Sequence, residues 1–122
     1  MHMSQFDVLV GTTLHSGILI ESIECEDELF DVIGRPATGW TRQIGHRLEI
    51  TLLKGLSAEE ASVTIYHEVI EGAMGVHFPD DVPVALHEVN EAQIDDLAVE
   101  YHQRLGPATV ESLNEMLQDL GF

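Results

Sequence analysis

The sequence predicts an α+β fold in which a small N-terminal β-sheet packs against two or three C-terminal helices. Three observations carry that expectation. Before residue 54 the apolar residues follow a period of two, most clearly at Leu48, Ile50 and Leu52. After residue 55 they follow helical spacing between capping signals. The charge changes at the same boundary: residues 1–54 carry 8 acidic and 4 basic residues, a net of −4, and residues 55–122 carry 14 acidic and 1 basic, a net of −13. With 122 residues and no low-complexity tract, the chain is expected to form one domain, residues 1–54 as strands and loops and residues 55–122 as helices.

Phe6, Val8 and Val10 form a first β-like run closed by Gly11, and residues 17–23 form a second, rich in isoleucine. The acidic stretch 21–31 reads as a solvated edge or loop. Gly34-Arg35-Pro36 and Gly39 mark turns. Residues 47–53 are the clearest strand. Ser57-Ala58-Glu59-Glu60 is a capping box, whose hydroxyl and carboxylate satisfy amides that the first helical turn leaves free. The helix it opens is expected to end at Gly75, a residue suited to the left-handed cap. A loop over 76–83 follows, broken by Pro79 and Pro83. Asn90 is the expected N-cap of the next helix, with Gln93 three residues on and Gly106-Pro107 stopping it after Leu105. Val110, Leu113, Leu117 and Leu120 form the stripe of a third helix, closed by Gly121.

The net charge of −17 excludes classes of partner. Nucleic acid and anionic membranes are bound through basic patches, and five scattered basic residues do not make one. An apolar fraction of 44% is too high for an acidic disordered chain. The lone Cys25 excludes an internal disulfide and a multi-cysteine metal site. No apolar run reaches membrane-spanning length, and the first residues lack the basic and apolar regions of a signal peptide. A cytoplasmic protein is the expectation.

The segment that can carry chemistry is His67-Glu68-Val69-Ile70-Glu71. On a helix, His67 and Glu71 fall on one face, roughly 6 Å apart at Cβ, so a nitrogen and a carboxylate oxygen can meet one cation. Glu68 is turned about 100° around the axis, beside such a cation, where it can take a proton from bound water. The pattern recurs as His87-Glu88-Val89-Asn90-Glu91. Counting back from the apolar stripe Ile94, Ala98, Tyr101 and Leu105 reaches Glu91 and then His87. A carboxylate aimed at a core is costly without a partner, and a metal supplies one.

A strand, a capped helix bearing His67-Glu68-x-x-Glu71-Gly72, a loop and a second helix resemble the small zincin-like metallopeptidases of bacteria and their phages. The resemblance covers residues 46–105; residues 1–45 match no family. It implies a minimal zincin-like fold, His67 and Glu71 as metal ligands, Glu68 as general base, and a third ligand near the start of the next helix. The fifth motif position is Glu where the family more often has His, so manganese or iron stands beside zinc as the expected divalent metal. Helical register favours Glu91 as the third ligand. Ligand chemistry favours His87, which would give two nitrogens and one carboxylate, and His87 is the expectation by a small margin.

The remaining candidates read as structural. His15, His46 and His102 have no spacing partner. His77 with Asp80 and Asp81 makes either a second ion site or an ordinary polar loop. Tyr101 reads as core. Gly72 is either a close helix–strand contact or a local weakness in the helix. Trp40, between Arg35 and Arg42, lies in the one locally basic segment and is a candidate docking site. The leading expectation is a metal-dependent hydrolase acting on a peptide or protein. The alternative is a non-catalytic acidic module, with or without a structural metal, that binds a basic protein partner.

Overall fold

A computed structural model describes residues 4–77 and 81–122, with side chains placed from Phe6 onward. The described residues open with a 3-10 helix, Ser4–Leu9, where alternation predicts a strand. Phe6 and Leu9, three residues apart, are buried, whereas Val8 is 67% exposed. The apolar side chains that reach the core thus follow the 3-10 period of three.

Four strands follow: β1 (Thr12–Thr13), β2 (Leu19–Glu26), β3 (Gly39–Ile44) and β4 (Arg47–Leu53), in the order β1-β2-β4-β3. β2 and β4 are parallel and the other two pairs antiparallel. The acidic stretch is therefore not all loop, since Glu21, Glu24 and Glu26 lie in β2. On β4, Leu48, Ile50 and Leu52 are each fully buried, as their period of two requires. Full burial of such side chains contributes roughly 1.5–3 kcal/mol each.

Three helices complete the fold: α1 (Ala58–His77), α2 (Glu91–Leu105) and α3 (Val110–Leu120). Together with the sheet they make the expected small α+β fold. The Ser57 cap is formed in both directions, Glu60 N–H to Ser57 Oγ at 3.1 Å and Ser57 N–H to Glu60 Oε1 at 3.0 Å. Asn90 and Gln93 close the equivalent box on α2, and Gly106 ends that helix at φ 80°. Thr109 and Ser112 cap α3, and Gly121 ends it in the left-handed conformation.

α1 differs from expectation at its end. It continues through Gly75 to His77. Gly75 sits against β3, where a Cβ would lie 3.0 Å from Gln43 Oε1. Gly72 is a close helix–strand contact: its Cβ would lie 2.5 Å from Leu48 Cδ1. The two glycines let the site-bearing helix lie close on the sheet. On its other side, fully buried Ser62 receives the Ala108 N–H at 2.8 Å and shares a hydrogen bond with His102 Nδ1 at 3.0 Å. Tyr66 donates its hydroxyl to the Gly106 carbonyl at 2.8 Å. α1 is thus fixed both to the sheet and to the turn between α2 and α3. No helix among the described residues is long and apolar enough to cross a membrane.

Candidate metal centre

The unbroken α1 backbone puts His67 and Glu71 one turn apart, as their spacing requires. His67 Nε2 lies 2.5 Å from Glu71 Oε1. α2 packs beside α1, and its first residue, Glu91, brings Oε2 to 3.1 Å from the same nitrogen. One ligand atom from each of His67, Glu71 and Glu91 falls within 4.8 Å of the others, so this group could hold a metal ion. Two helices contribute to it, and the chain between Glu71 and Glu91 closes a loop.

His87 is elsewhere. The 3-10 turn Val84–Leu86 precedes it, and its Nε2 donates to the Val82 carbonyl at 2.6 Å. Of the two candidate third ligands, the structure brings Glu91 to the His67–Glu71 pair and leaves His87 out of that group. The stripe register, continued back from Ile94, points to the residue that arrives.

A further residue completes the surroundings. Asp95 Oδ1 lies 2.5 Å from His67 Nδ1. A carboxylate on the far ring nitrogen orients an imidazole and directs its other nitrogen toward a cation. Asp95 follows Glu91 by four residues, on the same face of α2. That spacing was the available signal, hidden among many acids.

The charges of the group act on one another. Burial lowers the His67 pKa, but the Glu71 hydrogen bond and the charges of Glu68, Glu71 and Asp95 outweigh it and raise the value to about 9. Burial and the Glu71 charge push the Glu68 carboxyl up to about 8. Burial also works against ionisation of Glu71, yet hydrogen bonds with His67 and Glu91 hold it below the usual range. The hydrogen bond with Glu71 pushes Glu91 upward. Without a cation, protons therefore take its place in offsetting this cluster.

Glu68 lies on the inner side of α1 and is only 3% exposed. By contrast the side chains of Glu91 and Asp95 are 71% and 66% exposed, so the α2 side of the group opens to solvent.

Set against models of known families, curated proteins and solved structures, the chain matches none.

Tyr101 is buried and donates its hydroxyl to Asp119, and burial followed by that carboxylate raises its pKa. His15 Nε2 bonds the Phe122 carbonyl oxygen at 2.6 Å. His46 is exposed, with its ring centroid 6.5 Å from that of His77. His77 ends α1; of its two suggested partners, Asp80 lies outside the described residues and Asp81 donates its backbone N–H to the His77 carbonyl at 3.0 Å. Cys25 is a partly buried free thiol.

Proposed function

We propose that the protein is a metal-dependent hydrolase of the zincin type, acting on peptide bonds. The convergence of His67, Glu71 and Glu91 from two helices carries this reading. One imidazole nitrogen and two carboxylates suit zinc, and their hard, anionic character also suits manganese or iron. A bound divalent cation would supply Lewis acidity and make a coordinated water more acidic. Asp95 holds the His67 ring in place. Glu68 serves as the proton acceptor: a positive charge beside it lowers its pKa and restores the carboxylate that a general base requires. The substrate approaches from the exposed Glu91 and Asp95 side. The peptide class rests on the resemblance of residues 46–105 alone.

The burial of Glu68 favours a second reading. A carboxyl 3% exposed is shielded from substrate, as in a structural site that clamps α1 to α2 without turnover. The acidic helical half would then meet a basic protein partner.

Elemental analysis of protein purified without chelator tests both readings. About one transition-metal ion per chain is expected, retained or taken up on titration. Protein that neither carries nor binds metal removes the hydrolase and the clamp together. Glu68→Gln separates them. If the protein is a hydrolase, that variant keeps its ion and loses cleavage of a peptide library that the parent protein cleaves. If neither protein cleaves, the clamp remains.

A further inference from the structure

The sheet has two faces, and the helices cover one. Leu48, Ile50 and Leu52 turn to the core, and Thr41, opposite Ile50, donates its hydroxyl to the Glu68 carbonyl of α1 at 3.3 Å. The alternate positions form the opposite face. Register fixes its rows. Glu24, Thr51 and Trp40 lie side by side across β2, β4 and β3, and Ser22, Glu49 and Arg42 form the next row. Trp40 is 42% exposed, and Ile44 and Leu53 are partly buried outside the main core.

The charge on this face is unlike that of the rest of the chain. Arg42 and Arg47 stand against Glu21, Glu24, Glu26 and Glu49, a net of −2 on a chain of −17, and Arg47 already pairs with Glu21 at 3.1 Å. A second copy therefore meets far less repulsion here than against the helical half. The signs are also arranged to complement themselves, acids on β2 and a base with Trp40 on β3. In the single chain Arg42 has only a loose contact with Glu49, at 3.7 Å with its side chain 65% exposed. Such an exposed pair is weak and leaves the guanidinium free to find a better partner.

We infer that this face is the interface of a homodimer, two sheets packed face to face about a two-fold axis that runs along β4. That axis lays β3 of one protomer over β2 of its partner, as isologous packing requires. Trp40 then covers the row of Glu24 of the partner subunit, and Arg42 comes within reach of the same carboxylate. The β2–β3 loop adds exposed apolar surface at one end of these strands. There Val32 and Ile33 stand out from a turn held by Asp31, whose carboxylate accepts the Ile33 and Arg35 amides.

Sedimentation equilibrium of the protein as purified tests the inference. A monomer–dimer equilibrium is expected between micromolar and millimolar concentration. Trp40→Glu and Arg42→Glu should each weaken it about tenfold or more, as loss of an aromatic or arginine anchor does. Circular dichroism verifies that each variant is folded, and exposed Arg42 provides the test if the Trp40 variant is not. The double variant Glu24→Arg with Arg42→Glu should recover association, because it rebuilds the pair across the axis with its signs exchanged. A monomer at every concentration overturns the inference. So does association that both single variants leave unchanged, or a double variant that stays as weak as Arg42→Glu.

Discussion

The pattern His-Glu-Val-x-Glu occurs twice in this chain, and the two copies differ in the backbone that carries them. At 67–71 a continuous helix runs through the pattern, and His67 and Glu71 meet. At 87–91 the pattern crosses the end of a 3-10 turn, an N-cap and the first residue of α2. His87 turns back to Val82, while Glu91 joins the other copy's site. A spacing of four gives neighbouring side chains only where the helix is unbroken. The second copy is thus split: its carboxylate serves the site and its histidine serves a turn.

The largest test of that contrast is to remove each histidine. His67→Ala should lower metal affinity by more than the 10–100-fold that loss of an outer-shell partner costs, with zinc titration calorimetry as the measure. His87→Ala should leave affinity unchanged and cost about 1 kcal/mol of stability for the lost hydrogen bond to Val82. If His87→Ala abolished binding, the assignment of Glu91 would be wrong.

Asp95 sharpens the comparison from the His67 side. Asp95→Asn should weaken metal binding about 10–100-fold while the fold persists, since the His67 ring loses its anchor. An affinity equal to that of the parent protein would show that the Asp95 contact has no part in orienting the ring.

pH separates the metal-free site from ordinary surface carboxylates. His67 is raised from 6.5 to about 9 and Glu68 from 4.5 to about 8, so the folded chain holds protons that the unfolded chain releases. Their contribution to stability is complete below 4.5 for Glu68 and below 6.5 for His67. It is lost as pH rises through about 8 and about 9. Urea midpoints of the metal-free protein should fall across that range, and less so in Glu68→Gln. Metal affinity should rise over the same range, because the cation displaces the same protons.

The smallest expected effect concerns the residue that divides the second copy. Asn90→Ala removes the cap ahead of Glu91 and should cost about 1 kcal/mol by urea unfolding. A loss no larger than that of a neutral surface change would mean that α2 starts without its cap.

Much of the fold was legible because local chemistry decides it. Asn90 with Gln93, and Gly106 before Pro107, bound α2 where the sequence places its ends. Leu48, Ile50 and Leu52 face the core as their alternation requires. The misses lie where distant contacts override local signals. Val8 and Val10 imitate a strand, but the core takes Phe6 and Leu9. Gly75 looks like a stop, but β3 supports the helix past it. At the site, His67 and Glu71 were legible from spacing. The choice between His87 and Glu91 depended on a 3-10 turn that no residue pattern announces, and donor preference pointed away from the residue that reaches the pair. Asp95 was hidden by the acidity of its surroundings.

The separation of the ligands along the chain has a consequence for how the fold is reached. Glu71 and Glu91 are twenty residues apart, so an ion held by both ties the chain as a reversible cross-link would. Because the unfolded chain lacks the assembled site, the free energy of binding that ion would add to the stability of the folded state. A chain with a single cysteine, and hence no internal covalent tie, would in this way have a staple that forms or dissolves with metal supply.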